Sequence, residues 1–303
     1  MAKIAFLFPG QGSQYVGMGK DLYDAFPAAK SVYDRASDLL GFDVRKLAFE
    51  GPEDELRKTC FTQPALLVHS IAVYEILKGK GIQPELAAGH SLGEYSALHA
   101  AGALDFESVV KLVKRRGELM FAEGAKNPGT MAAIIGMGGD AVAELCREVE
   151  GIVVPANFNE PTQTVISGQV PAVEKAMELA KARGALKAVR LPVSGAFHSP
   201  LLENSAREFR EYLAMFEIRE PRFPVIANVT AEPEKTAAEI RANLENQLIS
   251  PVQWTRTIQT ARGLGTEQFY EVGAGKVLTG LVKRIDRAAP CATLGRTDEL
   301  NAL

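Results

Sequence analysis

Apolar residues open the chain as a short unbroken run, KIAFLF (Lys3 to Phe8), which stops at Pro9-Gly10. A run of that length bounded by a turn predicts a strand buried on both faces. The pattern then switches to helical spacing from Met18 to Leu40 and again from Ala65 to Lys78. PELAAG (Pro84 to Gly89) predicts a second short strand, Leu92 to Ala101 a helix rich in small residues, and Asp105 to Phe121 a long amphipathic helix. Strands alternating with helices predict a parallel sheet covered on both sides.

The rhythm changes in the middle of the chain. TMAAIIGM predicts a strand, DAVAELCREVE a helix, and GIVVPANFN and QTVISG two strands joined by a turn at Glu160-Pro161. VPAVEKAMELAKARG predicts a second helix and ALKAVRL a last strand. The order β-α-β-β-α-β is that of a split βαβ, ferredoxin-like unit. It predicts an inserted α+β subdomain over 128–191, edged by NPG (Asn127 to Gly129) and LPVSG (Leu191 to Gly195). The α/β alternation resumes with helices near Leu201 to Met215, Thr236 to Leu248 and Val277 to Arg287, and strands near Phe223 to Asn228 and at TEQFYEVG. The expected fold class is therefore α/β, a catalytic core of parallel sheet (1–127 and 192–303) carrying the subdomain.

Composition sharpens this only by exclusion. Of 303 residues, 47% are hydrophobic and 23% charged, which suits a globular protein with a large core. A net charge of −3 provides no basic field for nucleic acid. The N-terminal apolar run is too short for a signal peptide, and no apolar stretch suggests a membrane span. Cys60, Cys146 and Cys291 are widely spaced, suggesting neither a disulfide framework nor a zinc site, so the expected location is the cytoplasm.

The strongest candidate chemistry lies in AAGHSLGEYSAL (Ala87 to Leu98), where Gly89 and Gly93 flank Ser91 as G-x-S-x-G between a predicted strand and a predicted helix. That is the context of a nucleophile elbow, with the Leu92 N–H placed to donate to an oxyanion. A serine there can equally be a helix N-cap. Of the four histidines, His69 sits in an apolar helical run and His99 well along the helix after the elbow, and both read as structural. His90 should leave the elbow in another direction from Ser91. His198, in the loop SGAFHSP, is the base by elimination. No acid stands where a hydrolase would hold one. Asp105 and Asp140 read as helix-start residues, while Asp286 and Asp298 follow the histidine.

Two further features bear on the substrate. Lys111, Lys114, Arg115 and Glu118 form the polar face of a helix, whereas Arg116 falls in the apolar stripe of Val109, Leu112, Val113, Leu119 and Met120, beside Gly117. A cation there needs an anion, either a protein carboxylate or a carboxylate of the substrate. FPGQGSQ (Phe8 to Gln14) matches neither a dinucleotide fingerprint nor a P-loop, and reads as a tight turn presenting backbone amides and Gln11 as a second oxyanion donor.

With TQPAL (Thr62 to Leu66), KRRGELM, GTMAAIIG, GAFHSP and SPVQW (Ser250 to Trp254) in order, these segments closely resemble the malonyl-CoA:acyl-carrier-protein transacylases over nearly the full chain. The resemblance implies an α/β-hydrolase-like core with an inserted ferredoxin-like subdomain. It implies Ser91 as carrier of the acyl ester, His198 as base and acid, and Gln11 with the Leu92 N–H as oxyanion hole. It also implies Arg116 on the malonyl carboxylate, Gln63 and His90 lining the pocket, and the backbone carbonyl of Gln247 in place of the missing acid. Ser250 departs from the asparagine common in the family. The implied activity is ping-pong malonyl transfer from malonyl-CoA to the phosphopantetheine thiol of acyl carrier protein, in fatty acid synthesis, by a monomer without a cofactor of its own. An acidic carrier would dock on Lys181, Arg183, Lys187 and Arg190, or on Lys283, Arg284 and Arg287 of the last helix. A polyketide-type acyltransferase, a serine thioesterase and a non-catalytic acyl-CoA-binding module are the rival readings.

Overall fold

The computed structural model describes residues 3–193 and 195–303; Met1, Ala2 and Ser194, the last within the expected LPVSG boundary, lie outside the described residues. In chain order the elements are β1 (Ile4–Phe8), α1 (Lys20–Ala25), α2 (Pro27–Leu40), α3 (Val44–Glu50), α4 (Glu53–Leu56), α5 (Thr59–Gly79), β2 (Leu86–Gly89), α6 (Gly93–Ala100) and α7 (Phe106–Lys126). There follow β3 (Gly129–Ile135), α8 (Gly139–Glu148), β4 (Val153–Glu160), β5 (Gln163–Gln169), α9 (Val170–Ala182) and β6 (Lys187–Arg190). The chain ends with α10 (Glu203–Leu213), β7 (Val225–Ile226), β8 (Pro233–Glu234), α11 (Ala237–Gln247), α12 (Trp254–Gly263), β9 (Gln268–Val272), α13 (Val277–Ile285), β10 (Cys291–Leu294) and α14 (Thr297–Asn301).

Six strands form the core sheet in the order β10-β9-β1-β2-β7-β8, parallel except for the β7–β8 pair. β1 shows why its sequence is apolar at every position. Phe6 and Phe8 join one hydrophobic cluster while Ala5 and Leu7 join another on the opposite side. Such a strand has no solvent face on which to place a polar residue. The second sheet is antiparallel in the order β4-β5-β3-β6, with α8 and α9 packed on it around Ile134, Leu145, Ile166 and Val173. Phe158 N–H donates to the Val252 carbonyl at 2.9 Å and Val252 N–H to the Ala156 carbonyl at 2.8 Å, so β4 is stitched to the segment leading into α12.

Several boundaries differ from the sequence pattern for local reasons. The Met18–Leu40 periodicity is two helices, because Pro27 begins α2 at its first turn and has no N–H with which to continue α1. α5 starts at Thr59 and carries Pro64 inside it, so burial of this helix overrides the usual stop at proline. α5 is long and apolar enough to cross a membrane, yet it is mostly buried within the fold. The Val277–Arg287 helix is not the last: it stops at Ile285, leaving Arg287 beyond it, and β10 and α14 follow.

Candidate active site

The catalytic candidates meet where β1, β2 and β7 end, at the carboxyl edge of the parallel sheet, where open α/β sheets hold their ligands. Between β2 and α6 the chain reverses at Ser91, whose φ of 50° is in the left-handed region. The flanking glycines are required by contact. A Cβ on Gly89 would lie 1.9 Å from the Gly93 carbonyl carbon, and one on Gly93 would lie 2.0 Å from the Phe8 carbonyl oxygen. Asn228, just past β7, clamps the turn: its Oδ1 accepts from the Ser91 N–H at 2.6 Å and its Nδ2 donates to the Gly89 carbonyl at 2.6 Å.

His198 Nε2 lies 2.7 Å from Ser91 Oγ. On the other side of the ring, Nδ1 faces the backbone carbonyls of Gln247 at 2.9 Å and Ser250 at 3.1 Å. A carbonyl accepts only, so Nδ1 carries the proton and Nε2 presents its lone pair to the serine. Two carbonyls thus do the orienting work of a carboxylate, whichever side chain occupies position 250. Burial, and after it the charge of Arg116, press the His198 imidazole down to about 3, which keeps it a neutral base.

Arg116 is 1% exposed. Its guanidinium donates to Gln63 Oε1 at 2.6 Å, to Gln247 Oε1 at 3.0 Å and to Ser91 Oγ at 3.1 Å. Of the two anions considered from sequence, no protein carboxylate pairs with it directly among the described residues; every partner is neutral. Gly117 lets α7 approach closely, since a Cβ there would lie 3.0 Å from the Thr59 carbonyl oxygen. The cation therefore points into a cavity of about 100 Å³ lined by Gln11, Gln63, His90, Ser91, Leu92, Arg116 and His198, with Met120, Met131, Val193 and Phe197 as its apolar walls.

All eight residues singled out from the sequence lie at this site. Gln11 Nε2 donates to Thr59 Oγ1 at 3.2 Å, and Gln63 Nε2 contacts Met120 Sδ at 3.2 Å. Leu92 stands at the head of α6, where backbone N–H groups have no intrahelical acceptor. His90 turns away from the serine, as expected, and its Nε2 meets Asn159 Oδ1 at 2.9 Å across to β4. His99 Nδ1 bonds the Leu104 carbonyl at 3.0 Å and His69 Nδ1 the Tyr33 hydroxyl at 3.1 Å, both away from the site. Asn228, Glu94 and the side chain of Gln247 were not singled out. The only signals were a polar residue at the end of a predicted strand and an acid in the small-residue helix after the elbow.

This constellation can activate a serine, stabilise an oxyanion and hold an anion beside the acyl position. Similarity to known proteins agrees. The acyl transferase domain family matches residues 5–298. The malonyl CoA-acyl carrier protein transacylase of Bacillus subtilis (strain 168) is 49% identical over 290 residues, covering 95% of this chain and 92% of the relative. That of Escherichia coli (strain K12) is 46% identical over 288 residues, covering 94% and 93%. An acyl carrier protein S-malonyltransferase from Vibrio cholerae superposes with a TM-score of 0.96 at 43% identity, covering 99% of both chains. A malonyl-transacylase in complex with its type II PKS acyl-carrier protein superposes with a TM-score of 0.97 at 43% identity, covering 99% of this chain and 98% of that one.

Proposed function

The chain belongs to the acyl transferase family, among the malonyl CoA–acyl carrier protein transacylases, and from that premise we propose how its residues move a malonyl group from coenzyme A to an acyl carrier protein in fatty acid synthesis. Ser91 Oγ attacks the thioester carbonyl of malonyl-CoA while His198 Nε2 takes its proton. The Leu92 N–H and Gln11 hold the oxyanion. The tetrahedral intermediate collapses, the C–S bond breaks, and His198 returns the proton to the departing sulfur, leaving malonyl-Ser91. The phosphopantetheine thiol of the carrier then gives its proton to His198 and attacks the ester, and Ser91 is regenerated. Nothing in this sequence of steps calls for a resident metal or cofactor.

The observation that carries the reading is the buried guanidinium of Arg116 beside Ser91 Oγ, with only neutral protein partners. A free carboxylate at the end of a short acyl chain supplies the directly contacting anion that no protein group provides, whereas an acetyl group leaves the guanidinium with neutral partners alone. Met120, Met131 and Phe197 keep the cavity narrow and apolar, which favours a thiol acceptor over water. A groove beside the cavity is lined by Arg57, Lys58 and Arg190 with one acid, Asp54, and Leu191 and Val193 belong to both. This supports docking of an acidic carrier there, with its arm entering past Leu191. The basic residues of the groove carry exposed ion pairs, Arg57 with Glu53, Lys58 with Glu55 and Arg190 with Glu174, as Arg183 does with Glu148 and Arg284 with Glu160, so nearness to the cavity is what favours this groove. Three free cysteines suit a reducing cytoplasm, and we read the enzyme as a monomer.

The test mixes enzyme, malonyl-CoA and holo carrier protein and resolves the products by mass. Malonyl-carrier should dominate, and intact enzyme should show a malonyl adduct that Ser91→Ala lacks. Predominant free malonate would identify a hydrolase instead. Carrier transfer without any enzyme adduct would rule out the ping-pong route.

A further inference from the structure

Arg116 has no carboxylate in contact, yet a fixed anion lies one amide away. Gln247 Oε1 accepts from Arg116 at 3.0 Å, and Gln247 Nε2 donates to Glu94 Oε2 at 2.8 Å. The same Glu94 oxygen accepts from the Asn228 N–H at 3.0 Å. Glu94 is 0% exposed, and its second oxygen, Oε1, has no partner among the described residues. One carboxylate is thus tied through Gln247 to the substrate-gripping arginine and the segment that orients His198, and through Asn228 to the elbow of Ser91.

We propose that Glu94 is a positioning residue whose negative charge balances Arg116 while the site is empty, and that it takes up a proton from solvent when the malonyl carboxylate arrives at Arg116. This inference rests on the malonyl-transfer reading above. In the empty enzyme the Arg116–Gln247–Glu94 chain is neutral overall. A bound malonyl carboxylate adds a second anion against one cation beside two buried side chains, where uncompensated charge is costly. Protonating Oε1 restores neutrality without breaking either hydrogen bond accepted by Oε2.

The surroundings bear this out from every side. Burial raises Glu94 to about 7, against the opposing pull of its hydrogen bonds to Gln247 and Asn228 and of the Arg116 charge. Weakening that last influence raises it further. Glu234 on β8 also faces Glu94; its carboxyl is raised well above the usual range by burial and then by the Glu94 charge. Tyr95, on the same helix as Glu94, is held neutral by burial, and His198 is held neutral on its own side of Arg116. Of the two carboxyls, Glu94 is the one linked by hydrogen bonds through Gln247 to Arg116, which places it to change charge when a second carboxylate reaches the guanidinium.

The experiment measures proton uptake by a pH indicator in weakly buffered solution as enzyme is acylated by malonyl-CoA, with acetyl-CoA as the control. Transfer from thioester to serine is itself proton-neutral at pH 7. The wild type should take up a fraction of a proton per malonyl-enzyme formed, most strongly just above pH 7, and none with acetyl-CoA. Its KM for malonyl-CoA should rise several-fold from pH 6 to pH 9, while that for acetyl-CoA stays flat. Glu94→Gln should form the adduct without proton uptake and lose this pH dependence. Wild-type malonylation without proton uptake, or equal uptake by Glu94→Gln, would overturn the inference. Failure of the wild type to malonylate at all would instead overturn the malonyl-transfer reading. The malonyl-against-acetyl comparison in the wild type stands whether or not the variant folds.

Discussion

Ser91 Oγ and His198 Nε2 lie 2.7 Å apart, and both residues hold a left-handed backbone, with φ of 50° and 56°. Left-handed conformations are unfavourable for side-chain-bearing residues, so the pair is held by its surroundings rather than by local preference. With His198 pressed down to about 3, the acid limb of kcat/KM for malonyl-CoA should fall well below the pH 6–7 of an ordinary imidazole. His198→Ala should lower the acylation rate roughly 100- to 10,000-fold. Stopped-flow acylation from pH 4 to 8 checks both. An acid limb near pH 6.5 would show that the imidazole is solvated in the working enzyme.

Arg116 should set selectivity more than stability of the acyl-enzyme. Loss of a charge-assisted carboxylate contact costs about 2–3 kcal/mol, or roughly 30- to 150-fold, in malonyl transfer. Arg116→Ala should show that loss and a relative gain for acetyl-CoA, read from paired kcat/KM values. It should also move the acid limb upward, since the Arg116 charge is one of the causes holding His198 low. An unchanged malonyl-over-acetyl preference would remove Arg116 from the carboxylate role.

The elbow and the buried arginine were legible in sequence because each is a local pattern. G-x-S-x-G records contacts between neighbours in the chain, such as that of Gly89 with Gly93, and Arg116 broke the periodicity of its own helix. The ferredoxin-like unit was legible for the same reason, as an uninterrupted order of elements with clear period changes. What joins these parts was not. Asn228 reaches Ser91 across 137 residues, and Gln247 reaches Glu94 across 153, and such pairings leave no mark on local spacing. Short elements such as α3, α4 and α14 complete too few turns to show a period. The Gln247 carbonyl could be named only through family resemblance, because a backbone acceptor has no residue type to betray it.

Asn228 should matter to both stability and rate. Its side chain satisfies the Ser91 N–H and the Gly89 carbonyl, while its own N–H donates to Glu94. Asn228→Ala strands two backbone groups at a strained turn, at a cost of about 1–3 kcal/mol each where no water enters. Urea unfolding should show a loss of at least about 2 kcal/mol. At temperatures where the variant is folded, kcat should fall with KM for malonyl-CoA little changed, because Arg116 is untouched. Wild-type kcat in this variant would show that the elbow holds its shape without the clamp.

His69, remote from the chemistry, should make the fold acid-sensitive. It is 0% exposed in α5, and burial presses its imidazole down to about 4. In the unfolded chain it titrates near 6.5. Between those values the unfolded state binds the extra proton, so stability is lost as pH falls through that window and is unaffected above it. The full loss by pH 4 is roughly 3 kcal/mol. His69→Gln keeps a hydrogen-bonding group for Tyr33 but does not titrate there. The unfolding free energies of wild type and variant should therefore run parallel above pH 7 and diverge below 6.5, with the wild type losing stability faster. The offset at neutral pH reports the packing of the new side chain, and only the change of the difference with pH reports the imidazole. Curves that stay parallel down to pH 4 would mean that His69 takes up its proton in the folded protein, and that the buried Tyr33–His69 pair opens to water without unfolding.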